Sequence, residues 1–205
     1  MFYWWPSAPY YDDMENGPGN WSASGLWHLI DATNPYATAS SGFSSWWYGQ
    51  DDTGNYDTGV SNSGDLFSPI VYIPDTGYYL RFSSYYETET QSPDWDRRTV
   101  QISVDGGDFT NIYQLYDDQN GVWLGSQVID LSGYAGHLIQ VKFNFDTLDA
   151  VNNNYRGWYV DDFEISDTPP PSCADMHEPN NIVDQATAID YGQTFSADIC
   201  PGGDL

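Results

Sequence analysis

Two stretches of alternating sequence decide the fold class: Val100-Gln-Ile-Ser-Val104 and Ile139-Gln-Val-Lys-Phe-Asn-Phe145. In both, every second residue is apolar and the residues between are polar. Successive side chains of a β-strand point to opposite faces, so this period predicts strands with one buried face and one face in water. Asp105-Gly-Gly-Asp108, which follows the first stretch, has the composition of a tight hairpin turn.

Similar short runs of Val, Ile, Tyr, Phe and Trp recur between clusters of Gly, Asn, Asp and Pro, and no sustained helical period precedes residue 180. Eight or nine strands in about 150 residues fit a two-sheet antiparallel jelly-roll sandwich better than a seven-strand immunoglobulin sandwich. The predicted fold class is therefore all-β. The predicted strands are Leu26–Ile30, Phe43–Tyr48, Leu66–Ile73, Tyr78–Tyr86, Thr99–Val104, Asn111–Tyr116, Gln127–Leu131, Leu138–Phe145 and Gly157–Ile165.

The net charge excludes several kinds of partner. The 205 residues include 30 acidic and 5 basic side chains, a formal charge of −25. Binding to nucleic acid requires clustered Lys and Arg, and an anionic membrane surface is disfavoured for the same reason. No apolar run approaches the length of a spanning helix, and the aromatic start Met1-Phe-Tyr-Trp-Trp5 lacks the basic region of a signal peptide. We predict no nucleic-acid partner and no membrane insertion.

Three prolines in Asp167-Thr-Pro-Pro-Pro-Ser172 mark a change of composition. Prolines cannot join a sheet ladder and favour an extended spacer. We therefore predict a β-sandwich at residues 1–166, a linker at 167–172 and a tail at 173–205 that is too short to build its own core. The chain's two cysteines, Cys173 and Cys200, bracket that tail, and in an oxidising compartment they are expected to form a disulfide.

An ordered set of motifs links the chain to a known family. They include Tyr11-Asp-Asp-Met-Glu-Asn-Gly17, Val100-Gln-Ile-Ser-Val-Asp-Gly-Gly107 and Gly157-Trp-Tyr-Val-Asp-Asp-Phe-Glu-Ile165. With these motifs in this order along its sequence, the chain resembles the MAM-like jelly-roll accessory domains of secreted bacterial peptidases, including those of the immune inhibitor A type. The tail motif Asp175-Met-His-Glu-Pro-Asn-Asn181 is similar to the opening of the bacterial pre-peptidase C-terminal domain. The resemblance implies a secreted or cell-surface protein.

Acidic side chains cluster at both ends of the predicted sandwich. The first and last strands of a jelly roll are usually neighbours, so these carboxylates are expected to converge and to repel unless a cation lies between them. Calcium is the oxygen-preferring ion that suits such a cluster outside the cell, and the resemblance implies the same ion. The alternative is that some of these side chains cap turns or pair with Arg156. The predicted calcium ligands are Asp13, Glu15, Asp161 and Asp162, and the resemblance suggests a second, weaker site at Asp175, Glu178 and Asn181.

Tryptophans supply the candidate ligand-binding groups. Trp95 and Trp123 lie in predicted loops, where an aromatic platform could stack on a sugar ring or grip a peptide. Trp46 and Trp47 are adjacent on a predicted strand, so they must point to opposite faces and at most one is expected in the core.

The predicted function is that of a non-catalytic accessory module for binding or spacing. HExxH, GxSxG, glycine-rich phosphate loops and CxxC are all missing from the sequence. The expected partners are an extracellular polysaccharide or protein, or neighbouring domains of the same chain. One alternative is a carbohydrate-active jelly-roll hydrolase or lyase that uses Glu87, Glu89 and Arg97, and another is a structural or adhesive domain of a surface assembly.

Overall fold

A computed structural model describes residues 5–89, 95–115, 121–124 and 128–168. The chain divides into two units between Thr168 and Pro169, and the description concerns the first. No helix in these ranges is long and apolar enough to cross a membrane.

Several predictions concern residues outside these ranges and stay predictions. The division into a sandwich, a linker and a tail is one of them, because residues 169–205 lie outside the described part. The others are the disulfide between Cys173 and Cys200 and the weaker metal site at Asp175, Glu178 and Asn181.

Twelve strands and a short 3-10 helix at Ser132–Tyr134 form the described part of the chain. In chain order the strands are β1 (Tyr10–Asp12), β2 (Ser22–Ala23), β3 (Trp27–Ile30), β4 (Ser45–Tyr48), β5 (Ser63–Phe67), β6 (Val71–Tyr72), β7 (Tyr79–Glu87), β8 (Arg97–Val104), β9 (Thr110–Leu115), β10 (Ile129–Asp130), β11 (Leu138–Asp146) and β12 (Gly157–Ser166).

These strands form two six-stranded antiparallel sheets, which confirms the all-β, two-sheet jelly-roll prediction. The front sheet has the order β10-β7-β12-β4-β3, and β1 also pairs with β12. The back sheet has the order β2-β5-β11-β8-β9, and β6 also pairs with β11. The first strand is thus the neighbour of the last, as expected for this fold.

The core lies between the sheets and is largely aromatic. Trp158 packs edge-on against Trp27 and Phe143, with ring centroids 5.3 and 5.9 Å away. Such edge-to-face pairs stabilise the fold beyond the burial of their apolar area. Trp46 belongs to this core, whereas Trp47 on the opposite face is buried in a second apolar cluster. The two tryptophans thus point to opposite faces and only Trp46 lies in the core between the sheets, but Trp47 is buried as well, because both faces of the front sheet are covered.

Two parts of the strand prediction also differ from the structure. The predicted strand Leu66–Ile73 is two strands, β5 and β6, separated around Pro69, which has no N–H to donate to a ladder. The short strands β1 and β2 were not predicted, because they lie in segments rich in Asp, Asn and Gly.

Candidate ligand-binding loop over the front sheet

A bulge in β12 brings two acidic side chains to the same face. Opposite β7, the register shifts between Asp161 and Glu164, so that β12 contains one residue more than its partner. Asp162 is the extra residue of the bulge. Its φ is +49°, a left-handed conformation that Asp tolerates better than most residues. Val160 and Phe163 on either side both remain in the core. The two aspartates therefore lie together on the outer face of the front sheet.

These carboxylates hold the segment between β3 and β4, residues 31–44, which we call the covering loop. The Asp161 carboxylate accepts hydrogen bonds from the backbone N–H groups of Ser40 (2.8 Å) and Ser41 (3.3 Å). The Asp162 carboxylate accepts one from the Ser41 hydroxyl at 2.5 Å. These three hydrogen bonds fix the loop against the sheet.

Glu15 anchors the end of the same loop. Its Oε1 accepts the backbone N–H groups of Phe43 at 2.8 Å and Ser44 at 2.7 Å. Asp13, by contrast, accepts the backbone N–H of Glu15 at 3.2 Å and so caps its own turn. Three of the four predicted metal ligands thus contact the covering loop, and the fourth orders the turn that presents Glu15.

The electrostatics of the bulge are unfavourable for two ionised groups. Burial, together with the neighbouring charge of Asp162, raises the pKa of Asp161 to about 7. The Asp162 carboxylate also accepts hydrogen bonds from the hydroxyls of Tyr11 and Ser83, each at 3.2 Å. Among the described residues, the ion-pair partner of Arg156 is Glu87, at 3.7 Å. The two carboxylates at the bulge are therefore stabilised by neutral N–H and O–H donors of the protein.

The bulge offers some of the oxygen donors that calcium requires. Carboxylates and hydroxyls are the oxygen donors that calcium prefers. Within the described ranges, however, no three His, Cys, Asp or Glu side chains form a group that could hold a metal ion. Calcium binding by Asp13, Glu15, Asp161 and Asp162 therefore stays a prediction.

An aromatic cluster supports the other end of the covering loop. Trp47, Tyr85 and Tyr159 are buried together on the outer face of the front sheet. Tyr159 donates its hydroxyl to the carbonyl of Tyr36 at 3.0 Å, and Arg156 donates to the same carbonyl at 2.8 Å. Burial is the main reason that the pKa of Tyr159 is raised. The hydroxyl therefore stays protonated and remains a donor.

The two predicted ligand-binding tryptophans occupy different surroundings. Trp123 donates its indole N–H to the hydroxyl of Thr38 at 2.9 Å, and its ring lies 5.7 Å from Tyr85. Trp95 is 42% exposed and lies at the start of the segment that leads into β8. The structure therefore places Trp123, but not Trp95, against the covering loop.

The acidic groups named for an enzymatic alternative have separate partners. Glu87 accepts a hydrogen bond from the hydroxyl of Tyr85 and lies beside Arg156. Glu89 accepts one from the side-chain amide of Asn152 at 2.8 Å. Both carboxylates thus connect neighbouring elements of the fold.

A pocket of about 280 Å³ lies within the covering loop. Phe43 is the largest side chain in its wall and is 71% exposed, so its ring is available to a ligand. Sequence reasoning assigned Phe43 to a strand and missed the pocket, although the run Ala37-Thr-Ala-Ser-Ser-Gly42 indicated a loop of small side chains. The lining residues are Ala32, Asn34, Ala37, Thr38, Ala39, Gly42 and Phe43.

Comparison with known proteins relates the chain to part of a peptidase. No protein-family profile matches the chain. It is 34% identical over 166 residues to Bacillopeptidase F of Bacillus subtilis (strain 168), which covers 78% of the chain. The chain spans only 11% of that relative's length.

Two solved structures share the fold. One is TmCBM61 in complex with beta-1,4-galactotriose, with a TM-score of 0.51 and 17% identity over 75% of this chain and 92% of that one. The other is the K1 cleaved adhesin domain of Lys-gingipain from Porphyromonas gingivalis, with a TM-score of 0.54 and 16% identity over 78% of this chain and 98% of that one. The chain is thus similar in sequence to a segment of a bacterial peptidase and similar in fold to a carbohydrate-binding module and an adhesin domain.

Proposed function

We propose that this chain is a non-catalytic accessory module of a larger extracellular peptidase, and that it binds carbohydrate in the pocket of the covering loop. The observation that carries the proposal is Phe43, an aromatic ring exposed at the wall of a pocket whose loop is hydrogen-bonded along its length. Similarity to a segment of Bacillopeptidase F supports the peptidase context.

The covering loop favours binding because its hydrogen bonds order it before a ligand binds. Ser40, Ser41 and Phe43 are held by carboxylates at one end, and Tyr36 is held by Tyr159 and Arg156 at the other. A preformed site avoids the entropy cost of ordering a loop on binding, which is otherwise subtracted from the affinity.

The pocket offers the two kinds of contact that a sugar requires. A pyranose ring has an apolar C–H face that can stack on Phe43, and its hydroxyl groups can exchange hydrogen bonds with Asn34 and Thr38. The small side chains of Ala37 and Ala39 leave the ring room to enter. One sugar unit in an open pocket suits the end or a side branch of a glycan.

The carboxylates of this region favour binding over catalysis. Asp161, Asp162 and Glu15 accept hydrogen bonds from the protein itself, and their role in the proposal is to hold the loop. We propose that calcium, where present, is held by the predicted ligands at the bulge and strengthens the same attachment.

A binding assay with a matched pair of variants tests the proposal. The probes are soluble β-1,4-galactan, which the shared fold with TmCBM61 suggests, and xylan as a second glycan. Phe43→Ala is expected to weaken binding about tenfold, because it removes the stacking contact. Val60→Ala, at an equally apolar and 62% exposed position outside the pocket, is the control and is expected to have no effect.

Two outcomes would contradict the proposal. Equal affinities for the wild-type chain and the Phe43→Ala variant would show that the pocket does not bind the glycan. Hydrolysis of either glycan by the isolated chain would show that the module is catalytic.

A further inference from the structure

The outer face of the back sheet has a row of four polar side chains and one aromatic ring that crosses five strands. The pairing register places Gln101 of β8 opposite Asn111 of β9 on one side and Lys142 of β11 on the other. Lys142 in turn lies opposite Phe67 of β5, which lies opposite Ser22 of β2. With about 4.8 Å between neighbouring strands, these four gaps span about 19 Å. We call these five residues the amide row.

The part of this face that β11 contributes is in contact with water. Along β11, buried and partly exposed residues alternate without a break, and the partly exposed positions include Gln140, Lys142 and Asn144. The face thus differs from the outer face of the front sheet, where Trp47 and Tyr159 are buried beneath the covering loop.

The residue types in and beside the row are poor choices for a sheet. Asn and Asp are depleted in strands, where Thr or Val would stabilise an exposed position better. Yet Asn144 lies in the central strand and donates its amide to Asp65 at 2.8 Å, while Gln101 donates to Asn111 at 2.6 Å. Residues that contradict local propensity are expected where function selects them.

One acceptor atom in the amide row is still available for a hydrogen bond. The side-chain oxygen of Gln101 is shielded and has no hydrogen-bond partner among the described residues. A shielded polar atom without a partner is unfavourable, and a rotation of the amide would offer it to a ligand hydroxyl.

Aromatic and charged groups complete the surface. The ammonium group of Lys142 lies 4.7 Å from the ring centroid of Phe109 and 5.8 Å from that of Phe67. It also lies 3.5 Å from a carboxylate oxygen of Asp65, so the local charges balance. The row therefore has no excess positive charge to attract an anion, and the chain's net charge of −25 repels anionic polymers.

We propose that the amide row binds an extended, neutral polysaccharide chain laid across the strands. Planar amides both donate and accept hydrogen bonds, as sugar hydroxyls do, and the two phenylalanine rings offer apolar surface beside them. An extended peptide fits less well, since it is held by the backbone groups of a sheet edge and not by a sheet face. This site is separate from the pocket of the covering loop and does not depend on it.

The chain's only lysine makes the site directly observable. Lys142 lies in the middle of the row and 15% of its side chain is exposed, so apart from the terminal amine it is the sole amine target and is acylated slowly enough for protection by a ligand to be followed in time. Soluble β-1,4-galactan and xylan are the probes, each also used as a disaccharide and a hexasaccharide. We expect the polysaccharides and the hexasaccharide to protect Lys142 from acylation, and the disaccharide to protect it much less, because it covers only part of the row.

Variants separate this proposal from the proposed function. The double variant Gln101→Ala/Asn144→Ala is expected to raise the hexasaccharide concentration that protects Lys142 by about tenfold. Its melting temperature checks that the fold is retained. Phe43→Ala, in the covering loop, is expected to leave protection of Lys142 unchanged.

Three results would overturn the proposal. They are equal acylation of Lys142 with and without every probe, unchanged protection of Lys142 in a folded double variant, and loss of protection through Phe43→Ala alone. Loss of protection through Phe43→Ala alone would leave the covering-loop pocket as the binding site. Loss of glycan binding through the double variant alone would support the amide row and contradict the binding pocket of the proposed function.

Discussion

Asp96 gives the sharpest test of the electrostatic reasoning. It lies at the entrance to β8, is 2% exposed and accepts hydrogen bonds from the hydroxyl of Tyr56 and from the backbone N–H of Glu89, the latter at 2.8 Å. Burial raises its pKa from 3.8 to about 6, although the hydrogen bond from Tyr56 opposes this rise. The ionised form is therefore disfavoured in the folded protein.

The direction and size of the pH dependence follow from this pKa. Between pH 3.8 and about 6 the folded state binds a proton that the unfolded state has released, so the free energy of unfolding falls as the pH rises. A pKa change of one corresponds to ~1.4 kcal/mol, so Asp96 is expected to remove about 2–3 kcal/mol across this window. Above pH 6 its contribution is constant.

The comparison with Asp96→Asn isolates this effect. Asn keeps an oxygen acceptor for Tyr56 but does not ionise, and any constant penalty from its NH₂ group cancels when two pH values are compared. All nine tryptophans precede residue 169, so urea unfolding followed by tryptophan fluorescence reports on the first unit. From about pH 4 to about pH 7, the variant is expected to gain about 2–3 kcal/mol of unfolding free energy relative to the wild-type chain. Parallel stability curves would refute the reasoning.

Two further predictions concern the front sheet. Calcium at a hundredfold excess over its Kd is expected to raise the melting temperature of the wild-type chain by about 5–10 °C. Asp162→Asn is expected to abolish this gain, and magnesium is expected to substitute poorly for calcium. An equal gain in melting temperature in the variant would refute the assignment of Asp162 as a ligand. Gly157→Ala is expected to destabilise the fold by more than ~1 kcal/mol in chemical denaturation, because Gly157 has a φ of +96° and an added Cβ would collide with the backbone carbonyl of Tyr48. Gly133→Ala, where φ is not positive and space is open, is the control.

The sequence predicted the central strands of the fold well and its edges less well. β11 and β8 pair along most of their length, and the burial of β11 alternates as its sequence does, so its local pattern and its tertiary environment agree. β1 and β2 are held by partner strands and not by their own composition. Their pairing is a tertiary property, which local periodicity does not contain.

The candidate sites show the same division. The motif around Asp161 and Asp162 was visible in the sequence, and so was the reason for it to approach Glu15. The bulge that turns both aspartates outward, and the covering loop that receives their hydrogen bonds, were not. A one-residue change of register moves every later side chain of the strand to the opposite face of the sheet. The local sequence pattern does not indicate where such a bulge occurs.

By itself, the sequence determined the all-β class, the aromatic core and the strongly acidic charge, because these depend on composition and on the two-residue period of apolar side chains. Only the tertiary structure decided which outward faces are covered and which are open. Trp47 and Gln101 both point away from the core, yet Trp47 is buried beneath a loop and Gln101 is partly exposed. That difference arises from loops that cross between distant strands, and such long-range contacts follow from the packing of the whole domain.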